Sequence, residues 1–168
     1  MARQLSCFVV ARDVASTHSI EYRPAGSGAI CRSILATIPE WFGLPVSNAE
    51  YEALAQTGPA IVALDGGEPV GLMLLKRHFE TTLEVYFLAV LRDRHRRGAG
   101  RALMAHAEAI ARAEGRRFVS VKTRGPSKPY EPYERTRRFY EALGYAALEE
   151  RTDIWGPEDP ALIMAKAI

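Results

Sequence analysis

Apolar and polar residues follow two periods along this chain, and the switches between them mark its elements. Ile30, Ile34, Leu35 and Ile38 recur at helical spacing, which predicts a helix over about 28–38 that Pro39 ends. Ser47 offers an N-cap for a second helix to about Gln56. The short run Ser19–Arg23, closed by Pro24-Ala25-Gly26, reads as a strand. The pattern then turns to sheet: Ala60–Leu64 and Val70–Lys76 flank a turn at Asp65-Gly66-Gly67, and Glu84–Leu91 is a further strand. Beyond Gly100, one helical face carries Leu103, Met104, Ala107, Ile110 and Ala111 and stops at Gly115. Phe118–Thr123 is another strand, followed by a loop rich in Pro, Lys and Tyr. A last helix carries Phe139, Tyr140 and Leu143 to Gly144, and Tyr145–Glu150 and Ala161–Ala167 close the chain as strands. Strands that alternate with helices in this order predict a mixed α/β sheet in one domain.

The 168 residues are enough for one domain with a sizeable core, and 48% hydrophobic with 25% charged residues is ordinary for a globular protein. A net charge of +2 argues against a global field for nucleic acid or membranes. Positive charge is instead concentrated in Arg92–Arg101 and Arg135–Arg138. Cys7 and Cys31 make no disulfide framework, which fits a reducing cytoplasm. The apolar run Leu5–Ala11 is too short to span a membrane, and Arg12-Asp13 follow it without a signal cleavage site. Residues 1–18 are expected to be an N-terminal extension or an extra edge strand around Phe8–Ala11, with the domain over 19–168.

The stretch Val90–Leu103 carries the most chemistry. An apolar strand runs into a basic turn, then Gly98 and Gly100, then an amphipathic helix. Glycines allow close backbone approach, and a helix start offers unpaired N–H groups with partial positive charge, an arrangement suited to phosphate. A dinucleotide fingerprint fails, because Leu103 stands at the third glycine position and no acidic residue follows at the required distance. A Walker loop fails for want of Gly-Lys-Ser/Thr.

The residues resemble a third pattern. Val-x-x-x-x-(Arg/Gln)-x-x-Gly-x-Gly at a strand–helix junction is similar to the acyl-CoA motif of the GCN5-related N-acetyltransferases, the GNAT superfamily. Arg138-Phe139-Tyr140-Glu141-Ala142-Leu143-Gly144-Tyr145 resembles that family's second signature, one helix and one strand downstream. The resemblance covers about Ser19 to Ile168. It departs from the family at His95, where Arg or Gln is usual, and at Tyr133 and Thr136, where many members have Asn and Ala. The loop from Arg124 to Pro132 is also longer and more basic than usual.

The resemblance implies a mostly antiparallel sheet, splayed between its fourth and fifth strands and flanked by about four helices. It implies acetyl-CoA as co-substrate, no metal, and direct transfer to the amine of a small molecule or peptide. The donor-binding residues it implies are Leu88, Ala89, Val90, His95, Arg96, Arg97, Gly98, Ala99, Gly100, Arg101, Ala102 and Tyr140. The turn would hold the pyrophosphate, and Leu88-Ala89-Val90 would pair with the pantetheine arm. A backbone N–H near Val90 would polarise the thioester carbonyl, and Tyr140 would protonate the departing thiolate. An alkyl ammonium has a pKa of about 10, so a base is expected. The resemblance makes Glu84 one candidate, since it lies six residues before Val90, the offset at which histone-type members of the family carry their catalytic glutamate, and its strand parity is that of Tyr86, Leu88 and Val90. His78 and a water relay are rivals. Trp155 reads as a core plug or an acceptor-pocket wall, and Trp41-Phe42 are equally open. Cys31 reads as a small core residue. The other functional reading is a non-catalytic CoA-binding sensor or partner module. A homodimer is possible, and no nucleic-acid or membrane partner is expected.

Overall fold

Runs that change face at every residue become strands, and those with the longer period become helices, in the computed structural model, which describes residues 18–168. The edge strand expected around Phe8–Ala11 lies outside the described residues. In chain order the elements are β1 (Ser19–Arg23), α1 (Gly28–Leu35), α2 (Pro45–Thr57), β2 (Ala60–Asp65), β3 (Glu68–Phe79) and β4 (Thr82–Val90). Then come α3 (Ala99–Ala113), β5 (Phe118–Arg124), α4 (Glu131–Ala142), β6 (Ala146–Arg151) and β7 (Ala161–Ala167).

Two helix boundaries differ from the sequence expectation. α1 stops at Leu35, and the N–H groups of Thr37 and Ile38 reach back only three residues, to Ile34 and Leu35, at 3.0 and 3.1 Å. That tighter turn still carries Ile38 into the core. α2 begins at Pro45 rather than after Ser47, because proline's fixed φ suits the first helical position and its missing N–H costs nothing there.

The described strands form one sheet in the order β1-β2-β3-β4-β5-β7-β6, antiparallel throughout except for the β4–β5 pair. One face packs on α1 and α2 through Cys31, Ile34, Leu72, Leu74 and Phe87. The other packs on α3 and α4 through Met73, Leu103, Met104, Val121 and Tyr140. The apolar stripe of α3 is the one the spacing predicts, with Leu103, Met104, Ala107 and Ala111 fully buried.

A bulge in β4 changes how that strand presents its residues. Leu74 of β3 lies opposite Phe87 and Leu75 opposite Val85, so Tyr86 is an extra residue. Tyr86 and Phe87 therefore both face α1 and α2. The expected parity between Glu84 and Leu88 or Val90 is thus corrected: Glu84 faces α1 and α2, whereas Leu88 and Val90 pack with the α3/α4 core. The bulge shifted the alternation by one residue.

Candidate active site

The bulge is also where the sheet opens. β4 and β5 are paired from Thr82–Phe118 to Val85–Val121 and no further. Beyond that point β4 stays with β3 to Val90, while β5 stays with β7 to Arg124. The two strands diverge into a notch. Backbone groups along a strand point alternately to its two sides. Leu91 N–H bonds the Val70 carbonyl of β3 at 2.9 Å, so Leu91 and Ala89 face β3, and the N–H groups of Leu88 and Val90 face the notch. Of the expected Leu88-Ala89-Val90 trio, only the outer two direct an N–H into the notch, and the Val90 carbonyl is taken by His95.

At the wide end of the notch the chain passes through a 3-10 turn, Arg92–Arg94, into α3. Arg96 has φ of 60° and Gly98 of 96°, and Gly98 immediately precedes the helix. The first intrahelical bond of α3 runs from Ala102 N–H to Gly98 O at 2.9 Å, which leaves the N–H groups of Ala99, Gly100 and Arg101 ahead of it. A concavity of N–H groups at a helix start attracts anions. Gly98 is required by its left-handed backbone. Gly100 is required less strictly: a Cβ there would sit 3.4 Å from Phe139 of α4, an ordinary contact.

The arginines divide into two groups. Arg92 is held by Glu40 and the Thr37 carbonyl, and Arg94 pairs with Asp65 at 2.8 Å. Among the described residues, Arg96, Arg97 and Arg101 make no ion pair and are exposed, so their charge is available at the turn. His95 is engaged within the protein. Its Nε2 donates to the Val90 carbonyl at 2.9 Å, since a carbonyl can only accept, and its ring meets Trp41 edge-on at 5.6 Å.

Trp41 ties the α1–α2 loop to the start of α4. Its indole N–H donates to Thr136 Oγ1 at 3.0 Å and to the Pro132 carbonyl at 3.1 Å. Tyr133 Oη donates back to the Trp41 carbonyl at 2.6 Å, and burial pushes the Tyr133 phenol up to about 12. The two departures from the family's second signature, Tyr133 and Thr136, are thus both engaged by one tryptophan.

Farther along α4, Tyr140 is buried, and burial raises its phenol well above the ordinary range, followed by a smaller effect of Tyr133. It remains a protonated hydroxyl at any ordinary pH, and no described residue hydrogen-bonds it. Arg137 donates to the Arg124 carbonyl at 2.9 Å, so α4 returns over the end of β5, and Tyr140 lies one turn farther on. Beneath it on β5, Thr123 shares parity with Val119 and Val121 and is 2% exposed, yet its Oγ1 has no hydrogen-bond partner among the described residues. Leaving a buried hydroxyl unsatisfied costs about 1–3 kcal/mol.

On the α1/α2 face, Glu84 is buried between two cationic or donor groups, Lys122 Nζ of β5 and His78 Nε2 of β3. Burial opposes its ionisation, but these two partners outweigh it and hold the carboxyl below its ordinary range. The His78 side chain is 51% exposed against 3% for Glu84, so solvent and solutes reach the imidazole first. Beside them, Tyr86 Oη donates to Glu50 at 2.6 Å, and Lys76 Nζ lies 3.2 Å from the Tyr86 ring centroid.

Sequence reasoning missed Lys122 and Thr123, and it left Trp41 open between a core plug and an acceptor-pocket wall. Thr123 leaves a signal in the sequence, a polar residue at the buried parity of Val-Ser-Val-Lys-Thr. Trp41 leaves none, because its partners lie 91 to 95 residues away. Trp155 is 46% exposed, which removes it from the core-plug reading. Cys31 is fully buried, and burial pushes its thiol up to about 11, as suits a packing residue.

The model of the family described as "Acetyltransferase (GNAT) family" matches residues 30–145. No curated protein matches the chain by sequence. Solved structures share its architecture. A Desulfovibrio desulfuricans protein described as a GNAT-family acetyltransferase superposes with a TM-score of 0.76 at 20% identity, over 89% of this chain and 98% of that one. The ribosomal-protein-S18-alanine N-acetyltransferase from Escherichia coli gives 0.72 at 17%, over 90% and 94%. A GNAT family acetyltransferase from Elizabethkingia anophelis with acetyl-CoA bound gives 0.69 at 16%, over 90% and 99%. At these identities the likeness is one of fold, including the parallel β4–β5 pair in an otherwise antiparallel sheet. Because the family model spans well over half of its residues, the chain belongs to the GNAT acetyltransferase family.

Proposed function

We propose that this protein transfers an acetyl group from acetyl-CoA to the amine of a small molecule or peptide within a ternary complex. The observation that carries the reading is the notch between β4 and β5, with a phosphate-suited turn at its wide end and a protonated tyrosine over its flank. When bound, acetyl-CoA supplies an activated acyl group: the amine nitrogen adds to the carbonyl carbon, the C–S bond breaks, and the sulfur leaves with its electron pair and takes up a proton.

The chain's own residues fit that donor. The N–H groups of Ala99, Gly100 and Arg101, with Arg96, Arg97 and Arg101, hold the pyrophosphate, and Gly98 gives the turn its shape. Leu88 and Val90 offer N–H groups to the arm and the acyl carbonyl, a donor at the carbonyl being worth about 3 kcal/mol. The Leu88 N–H, nearer the narrow end, takes the carbonyl. Tyr140 Oη, kept protonated by burial, donates to the departing sulfur.

Glu84 and His78 handle the other proton. The ionised Glu84 carboxylate accepts from His78 Nε2–H, which fixes that tautomer and leaves the lone pair on Nδ1 of a half-exposed ring. His78 takes the proton of the amine at Nδ1, and Glu84 stabilises the resulting imidazolium.

The test mixes the protein with acetyl-CoA and a panel of amines, amino acids and lysine peptides, and measures free CoA with a thiol reagent. Thiol release with at least one amine, and a rise in melting temperature with acetyl-CoA, are expected. Stabilisation without release from any amine would favour a CoA-binding module that does not turn over. No stabilisation at all would sink the donor assignment.

A further inference from the structure

Thr123 is buried on the α3/α4 face of the sheet, at the parity of the apolar Val119 and Val121, and its hydroxyl has no partner among the described residues. That unsatisfied hydroxyl lies two residues past the last β4–β5 pair, on the β5 wall of the notch. Its parity with Val119 and Val121 directs it to the α3/α4 side, the side from which Tyr140 approaches. Across the gap, Phe87 is likewise two residues past the last pair, and the next N–H directed into the gap is that of Leu88. Leu88 N–H and the Thr123 hydroxyl therefore stand on opposite walls of the narrow end, with Tyr140 above.

On the reading of the notch as the acetyl-CoA site, on which this inference rests, the order of groups is set. The phosphates lie at the wide end by Gly98, so the tip of the arm, the acyl thioester, reaches the narrow end. We propose that Thr123 is a carbonyl-binding residue: its hydroxyl donates to the thioester oxygen opposite Leu88 N–H and strengthens that bond as negative charge develops there. A hydroxyl can rotate to donate, and a second donor on the opposite wall fixes the carbonyl between two points. An orphaned hydroxyl in the free protein becomes satisfied only when the acyl group arrives.

Thr123→Val keeps the shape and removes the hydroxyl, and Thr123→Ser keeps the hydroxyl. Three readings are taken: the melting temperature of the free protein, its rise with CoA and with acetyl-CoA, and kcat and KM. For T123V, the free protein should melt no lower than wild type, because an unsatisfied polar group is gone. Its rise with CoA should be unchanged, its extra rise with acetyl-CoA should vanish, and kcat should fall about tenfold or more with T123S close to wild type. Equal weakening of CoA and acetyl-CoA would overturn the assignment in favour of a contact to the arm. Unchanged kcat and unchanged acetyl-CoA stabilisation in T123V would overturn it outright, as would a lower melting temperature of the free T123V protein. A wild-type protein that acetyl-CoA does not stabilise would instead bring down the donor reading itself, which separates the two failures.

Discussion

The two faces of β4 are built by different means. On one side, the parts proposed to cradle the phosphates and the arm are mainly backbone: a left-handed Gly98, the N–H groups that start α3, and the strand edge of Leu88 and Val90. On the α1/α2 side the parts proposed to move the amine proton are side chains brought together across three strands: His78 of β3, Glu84 of β4 and Lys122 of β5. The donor side is thus specified by local chain geometry, and the other by tertiary pairing. A backbone site tolerates side-chain change wherever φ and space allow, whereas the side-chain site should fail at single atoms.

The largest expected effect tests that second half. Glu84→Gln and His78→Ala should each lower kcat by about 10²–10⁴ while leaving CoA-induced stabilisation unchanged, as general-base loss does. Equal kcat for both variants and wild type would show that the cluster is only structural. The acid side carries a sign. Because Glu84 is held below its ordinary carboxylate range, its pairing stabilises the fold fully above that range and is lost as pH falls through the depressed value. The gap in melting temperature between wild type and E84Q should therefore close as the pH drops well below the ordinary carboxylate range. A gap that widens with acid would contradict the pairing.

A smaller effect separates the two glycines of the backbone half. At Gly98 any side chain meets φ of 96°, a strain of about 1–2 kcal/mol, so Gly98→Ala should weaken acetyl-CoA binding about tenfold. Gly100→Ala places its Cβ 3.4 Å from Phe139 and should bind the donor within a few-fold of wild type. Calorimetry with CoA distinguishes them. Two equal losses would mean that the N–H cradle depends on close approach at both positions rather than on turn shape at one.

The same division explains what could be read from the sequence. Gly98, the α3 stripe, the succession of strands and helices and Tyr140 in its helix depend on neighbours within a few residues and are legible, whereas the place of β7 between β5 and β6 rests on distant pairing and is not. The bulge at Tyr86 was not: Leu-Glu-Val-Tyr-Phe-Leu-Ala-Val alternates no differently with or without an extra residue, and only pairing with β3 reveals it. That one residue moved Glu84 to the opposite face from Val90. The arginine run likewise looked uniform, because Glu40 and Asp65, which engage Arg92 and Arg94, lie 52 and 29 residues away. The contacts of His95 with the Val90 carbonyl and Trp41 are equally invisible in the sequence, since Trp41 lies on a distant loop.

The smallest expected effect lies where the two halves meet. Trp41 joins the α1–α2 loop to α4 by donating its indole N–H, while Tyr133 donates to the Trp41 carbonyl. Each bond is worth about 1 kcal/mol, so Trp41→Phe and Tyr133→Phe should each lower the melting temperature by about 2–4 °C. The indole and phenol bonds hold the same two segments, so loss of one loosens the other. A double-mutant cycle should show a coupling of about 0.5 kcal/mol or more, with the pair costing less than the sum of the singles. Strict additivity would mean that the α1–α2 loop is held on α4 by packing, notably the edge-on Trp41–His95 contact, and that acceptor-side and donor-side elements move independently. Coupling would mean that the loop and the start of α4 respond as one unit, so that a change on the side-chain face is felt at the Val90 backbone through His95.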